Sequence, residues 1–152
     1  MQTEQTFSFL KPESVMRGLI GEIVSRFERK GLLLLGAKLI QMSSEQAQRL
    51  YEVHKGKPFF PELVSHVTSG PVFVMVWEGP NAITVVRGLV GATNPLNAAP
   101  GTVRGDFALS ITPNAIHAAD SPDNAKREMS IFFQTNELAR YSKPTEREYM
   151  LK

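Results

Sequence analysis

The sequence predicts an α+β fold of the ferredoxin-like kind, a four-stranded antiparallel sheet in βαββαβ order with helices packed on one face. Strand-length apolar runs alternate along the chain with stretches whose apolar residues recur at helical spacing. Neither an internal repeat nor a low-complexity tract interrupts that alternation. The 152 residues, 42% hydrophobic and 21% charged, suit one globular domain with one core.

Taken in order, Thr6 to Leu10 is a short β-rich run stopped by Lys11-Pro12. Val15, Leu19, Ile20, Ile23, Val24 and Phe27 then recur at helical spacing until Gly31 ends the pattern. Leu32 to Met42 reads as a buried strand. Ser43, with Gln46 three residues on, is a capping-box signature opening a helix through about His54. A short second helix starts at Pro61, Val72 to Trp77 is a strand, and Ala82 to Val90 a helix. After a long loop, a short strand is expected around Ile116. The last strong helix starts at Ser121-Pro122, with serine as cap and proline in the first turn, and runs to Phe133. Residues 134–152 are polar and aperiodic, and are expected to form a C-terminal arm of this single domain 1–152.

The loop from Ala92 to Pro113 is anomalous, with three prolines, two glycines and no clear periodicity. Loops longer than roughly 12–15 residues are uncommon in compact domains unless functional or disordered, and this one is too apolar to be a solvated linker. Between Gly79 and Ala119 the only charged residues are Arg87, Arg104 and Asp106, which raises the question of what the two arginines bind.

Charge and composition exclude several classes. The chain has no cysteine, so disulfide frameworks and thiolate zinc sites are out. Its first residues lack the pattern of a signal peptide, and its longest apolar run, Gly31 to Ala37, is strand-sized, so a cytoplasmic location away from membranes is expected. The net charge of +2 is spread evenly: 9 basic and 7 acidic residues over 1–76, and 8 of each over 77–152. Without a basic arm or run, nucleic acid is a poor partner, and a small polyanion a better one.

On the final helix, Ala125, Glu128, Met129 and Phe132 fall on one face, which turns Glu128 inward. A buried carboxylate needs a partner. His117 could supply one, and a carboxylate fixing an imidazole is what a nucleophilic or general-base histidine requires. Spacing alone favours a plainer reading, a stripe-edge carboxylate bridging a lysine or arginine. Tyr51 shares a face with Ala47, Leu50 and His54, and its default reading is a core tyrosine, with His54 at a boundary. His66 has no constellation around it. Lys11, held extended before proline, is either a solvated strand end at a sheet edge or a cation for an anionic ligand. Phe59-Phe60, between prolines, could anchor the core or offer a face for a base. No P-loop, dinucleotide glycine fingerprint, H-E-x-x-H or G-x-S-x-G is present.

The segments FSFLKP (7–12), RGLIGEIVSRFERKG (17–31), HKGKPFFPELV (54–64), TSGPVFVMVWEG (68–79), GATNPLNAAPGTVRGDF (91–107) and NAIHAADS (114–121) together resemble the nucleoside diphosphate kinase family over nearly the whole chain. The resemblance implies ping-pong transfer of a γ-phosphate from a nucleoside triphosphate to a diphosphate, with Mg²⁺ bound through the nucleotide phosphates and His117 as nucleophile. It implies that Lys11 and Arg104 lie near the transferred phosphate, Arg87 and Thr93 hold the β-phosphate, and the Tyr51 hydroxyl lies close to the histidine. Asn114 and Lys11 match ribose contacts, and Phe59 and Ile111 an apolar clamp on the base. Glu128 matches the carboxylate that orients the histidine, which displaces the plainer reading. The long loop, with Pro95, matches an interface segment contributing Thr93 and Arg104. The resemblance therefore implies a homo-oligomer, a hexamer or, as in some bacteria, a tetramer.

Two departures stand out. The family's usual K-P-D-G is Lys11-Pro12-Glu13-Ser14, and its usual H-G-S-D is His117-Ala118-Ala119-Asp120. Ala119 lacks the hydroxyl of the family serine, which predicts an active but slower enzyme. It also motivates an alternative, a weakened relative that binds nucleotides as a scaffold or regulator. A nucleic-acid-binding ferredoxin-like module is a further alternative, but would want sheet aromatics and a basic stripe.

Overall fold

A computed structural model describes residues 3–143 together with 148 and 149. Its strands are β1 (Thr3–Leu10), β2 (Leu33–Gln41), β3 (Pro71–Pro80) and β4 (Ile116–Ala118). They form one antiparallel sheet in the order β2-β3-β1-β4. This is the ferredoxin-like order, with the first and third strands interior. Lys11 therefore follows an interior strand, not the sheet edge expected from its sequence context.

The helical pattern over Val15 to Phe27 becomes two helices, α1 (Pro12–Met16) and α2 (Ile20–Lys30). They part at Gly18, whose φ of 73° no helix accommodates. Helix α3 (Ser44–Leu50) carries the capping box: Ser43 Oγ accepts the Gln46 N–H and Gln46 Oε1 accepts the Ser43 N–H, each at 3.0 Å. A 3₁₀ turn continues it over Glu52–His54. Helices α4 (Phe60–Val67) and α5 (Ala82–Val90) follow as read. The long loop holds local structure that periodicity did not reveal, a 3₁₀ turn (Pro95–Asn97) and a short helix α6 (Val103–Phe107). Helix α7 (Pro122–Phe132) starts at the expected cap, Ser121 Oγ accepting the Asn124 N–H at 3.2 Å.

Helices cover both faces of the sheet, where one was expected. Alternation along β1 and β3 gives each face its own apolar set. Phe7, Phe9, Val72, Val74 and Val76 pack with Leu50, Phe132 and Phe133 on one side. Leu10, Met75 and Trp77 pack with Ile23, Phe27, Val86 and Val90 on the other. Phe7 and Phe132 stack with centroids 5.2 Å apart, and Phe27 meets Trp77 at 5.2 Å. A sheet apolar on both faces has to bury both.

The start of the expected C-terminal arm folds back onto β2. Ala139 N–H donates to the Leu35 carbonyl at 2.8 Å and Tyr141 Oη to that of Leu34 at 2.6 Å. Positions 144–147 and 150–152 of that arm lie outside the described residues. Among the described residues no helix is long and apolar enough to cross a membrane.

Candidate active site

β4 is three residues long, and its middle residue is His117, paired with Phe9 of β1. The imidazole lies on the Phe9 ring at 5.1 Å, and the Tyr51 ring meets it edge-on at 6.0 Å. The inward face of α7 delivers Glu128, whose Oε1 lies 2.5 Å from His117 Nε2. Glu128 is 4% exposed and its other oxygen is 3.9 Å from Arg127, so the histidine is its close partner and the arginine a distant one. An acceptor-only carboxylate on Nε2 assigns the proton to that nitrogen and leaves Nδ1 with its lone pair. Nδ1 has no hydrogen-bond partner among the described residues.

The backbone leading to and through β4 gathers the cations. Lys11 Nζ donates to the Thr112 carbonyl at 2.9 Å. Arg104 spans three carbonyls, with Nε to Asn114 at 3.2 Å, Nη2 to Ile116 at 2.7 Å and Nη1 to Gly91 at 3.1 Å. Arg87 Nη1 donates to Ala118 at 3.2 Å. Among the described residues neither arginine pairs with a carboxylate, which answers the question their isolation raised. Burial lowers Lys11 to about 8, Glu13 opposing the shift and Arg104 adding to it. Burial, with Arg87 nearby, lowers Arg104 to about 10. Lys11 and Arg104 are 4% and 5% exposed, which excludes a solvated strand end. Desolvated cations with only carbonyl partners keep most of their charge for an anion.

Local structure explains how Arg104 is seated. Thr102 caps α6 by accepting the Gly105 N–H at 3.0 Å, and a Cβ on Gly105 would lie 2.1 Å from the Ala99 carbonyl oxygen, so only glycine fits. Asp106, the region's one carboxylate, pairs with Arg26 at 2.7 Å.

Two buried polar atoms of the site lack partners among the described residues. The Tyr51 hydroxyl has none, and burial, reinforced by Glu128, holds its ionisation well above the ordinary value. Asn114 donates Nδ2 to the Thr93 carbonyl at 3.0 Å while its Oδ1 is unpaired. Such atoms are costly unless a ligand meets them. Thr93, Phe59 and Ile111 are exposed. His117, Glu128, Tyr51, Lys11, Arg87, Arg104 and Asn114 thus converge, while Phe59 and Ile111 stand at the surface on separate segments. A cavity of about 530 Å³ under the C-terminal segment, lined by Leu35, Phe133, Leu138 and Tyr141, includes none of them.

Of the two other histidines, His54 is half-buried at a boundary, as read, and His66 departs from its reading. His54 packs against Phe59 at 5.2 Å, and its proton affinity is lowered by burial, Lys57 and His117. His66 does have a partner, Glu13 Oε1 at 2.8 Å from its Nε2. Sequence reasoning missed that Ala115 adopts φ 76°. No residue type marks that position. Among the described residues no group of three His, Asp or Glu side chains is placed to hold a metal ion. The lysine, arginines, threonine and asparagine are a donor set for phosphate and sugar oxygens instead.

The family model described as nucleoside diphosphate kinase matches residues 4–138. A nucleoside diphosphate kinase of Halalkalibacterium halodurans is 56% identical over 144 residues, 95% of this chain and 98% of that protein. One from Ignicoccus hospitalis is 57% identical over 135 residues, 89% and 92% of the two chains. Among solved structures, a halophilic nucleoside diphosphate kinase from Halobacterium salinarum in complex with CDP superposes with a TM-score of 0.93 at 46% identity, covering 97% of this chain and 98% of that one.

Proposed function

This chain belongs to the nucleoside diphosphate kinase family, and on that premise we propose that His117 Nδ1 is the nucleophile of its phosphate transfer between nucleoside tri- and diphosphates. The observation that carries this reading is the division of labour on one imidazole. Nε2 is held by Glu128, while Nδ1 has no partner and Lys11, Arg87 and Arg104 form no ion pair with a carboxylate among the described residues.

In the first half-reaction the Nδ1 lone pair forms a bond to the γ-phosphorus of a nucleoside triphosphate. The bond from that phosphorus to the β,γ-bridging oxygen breaks, and the oxygen leaves with the diphosphate. The second half-reaction runs the same steps backwards onto another diphosphate. Positive charge reaching the ring is offset by Glu128, so the Nε2 proton stays in place and no external base is needed. Phosphoryl transfer demands mostly positioning and stabilisation of charge on the phosphate oxygens. Lys11 and Arg104 supply that at the transferred group, Arg87 and Thr93 at the β-phosphate, and the Tyr51 hydroxyl donates beside the histidine. Asn114 Oδ1 accepts from a ribose hydroxyl, together with Lys11. Phe59 and Ile111 flank the base without reading its edge, which suits broad tolerance of bases.

Phosphoryl transfer of this class uses a divalent cation, here Mg²⁺, which supplies charge neutralisation while bound through the nucleotide phosphates and not through a protein cage. The exposed apolar side chains of the long loop, Leu109 at 97% and Leu96 at 87%, support assembly into a homo-oligomer, a hexamer or tetramer. We place the enzyme in the cytoplasm. Nothing beyond Ala119 favours a weakened scaffold, which would bind nucleotides without needing a carboxylate to orient His117.

The test is incubation with γ-labelled ATP and Mg²⁺, then acid or base treatment. Label that survives base, is lost in acid, is absent from His117→Ala and is discharged by GDP as GTP is expected. A protein that binds ATP but takes no label would sink the proposal.

A further inference from the structure

Ala115 is fully buried and adopts φ 76°, a region that a residue with a Cβ rarely enters. It joins Asn114 to β4 and so to His117. Both peptide groups that bound its torsions are tied to Lys11 and the first turn of α1. Its N–H donates to Glu13 Oε2 at 3.1 Å. Its carbonyl accepts the Lys11 N–H at 3.0 Å and Ser14 Oγ at 2.8 Å. Glu13 is itself fixed at its other oxygen, since Oε1 lies 2.8 Å from His66 Nε2 of α4.

We propose that Glu13, with Ser14, is a positioning residue for the transfer: together they hold Ala115 in its left-handed conformation, and that conformation aims Asn114 and His117 into one site. A strained torsion persists only where its surroundings over-determine it. Here the Ile116 N–H closes the turn onto the Asn114 carbonyl at 3.0 Å and Arg104 binds that carbonyl at 3.2 Å. The bonds from Glu13, Ser14 and Lys11 fix both peptide groups of Ala115, and His66 steadies the carboxylate. Released from them, Ala115 relaxes toward an extended φ, its two peptide planes rotate, and the residues on either side swing apart. The departure of residues 13–14 from the family's usual Asp-Gly thereby gains a function. Ser14 makes a contact that glycine cannot, and Glu13 reaches both the Ala115 amide and His66.

The inference rests on His117 as the phosphorylated residue, so the experiment reads that step. The rate constant of His117 phosphorylation at saturating ATP and Mg²⁺ is measured by rapid quench, with ATP affinity and melting temperature measured separately. The proteins are the parent, Glu13→Ala, Glu13→Gln, Ala115→Gly and the double variant Glu13→Ala/Ala115→Gly. Glu13→Ala is expected to slow phosphorylation by about tenfold or more, the scale of a small misplacement of reacting groups. Glu13→Gln keeps an acceptor for the amide and stays within about threefold of the parent, less than the loss of a whole hydrogen bond. Glycine adopts φ 76° unaided, so in the Ala115→Gly background Glu13→Ala costs no more than about twofold. A normal rate in Glu13→Ala overturns the inference, as does an equal loss with and without Ala115→Gly, or a loss confined to affinity or melting temperature. Absence of label on the parent protein overturns the role of His117 and this inference with it.

Discussion

Glu128 binds His117 through Nε2, at 2.5 Å, and so leaves Nδ1 as the ring nitrogen with a lone pair. Replacing Glu128 with glutamine keeps an oxygen that can accept the Nε2–H but removes the negative charge that offsets the developing imidazolium. The Glu128→Gln variant is expected to phosphorylate about 10–100-fold more slowly while still binding ATP, less than the loss of a group that itself moves a proton in the transition state. Single-turnover quench against an ATP titration separates the two effects. Equal rates would mean that the carboxylate only packs.

Tyr51 offers the opposite test, because its buried hydroxyl has no partner among the described residues. Tyr51→Phe is expected to leave the melting temperature unchanged or raise it, by up to about 1 kcal/mol of stability, since it removes an unpaired buried group. Phosphorylation should slow in the same variant. A drop in stability measured by urea titration would show that the hydroxyl already has a partner.

Burial sets Lys11 at about 8, so its charge is sensitive to mildly alkaline conditions. A phosphate beside the amine favours the charged form. Below pH 8 the amine is already charged, and binding takes up no proton at this group; above pH 8 it must capture one. ATP affinity should fall by up to about tenfold per pH unit above 8 through this group. Calorimetry in two buffers of different ionisation enthalpy should show proton uptake near pH 9 and none at this group near pH 7. Stability has its own sign. Between about 8 and 10.5 the unfolded chain carries the proton and the folded chain does not. Lysine 11's contribution to stability therefore rises with pH across that window.

Ala119 sits buried against Ile83 and Ala125, its amide bonded to the Phe7 carbonyl at 3.0 Å. Ala119→Ser is expected to raise turnover by up to about tenfold, the value of one hydrogen bond to a charged group. A coupled NDP-phosphorylation assay reads this directly. An unchanged or lower turnover would dismiss the missing hydroxyl as the slow feature.

The parts of the fold legible in the sequence were those with local causes. The box of Ser43 and Gln46, the cap of Ser121 and the apolar spacing of α5 depend on neighbours within a few residues, and each appears where read. The split at Gly18 was hidden because helical spacing resumes in phase after it. Helix α6 was hidden because Thr102 and Gly105 build five residues of helix on one cap, too short for periodicity. In the site, motif resemblance named the residues but not their atoms. That Nε2 and not Nδ1 meets Glu128, and that Glu13 reaches Ala115 and His66, are long-range relations set only once β1, β4, α4 and α7 have packed.

The pairing of Phe9 with His117 also fixes when the enzyme can become competent. Lys11, Arg87 and Arg104 all lie upstream of β4, so a chain emerging from the ribosome carries the cations of the site before His117. Closing so long a loop is a slow event in folding. A nascent chain stopped short of residue 116 could at most grip a nucleotide. The site is assembled only when β4, in the last quarter of the chain, returns to the first strand.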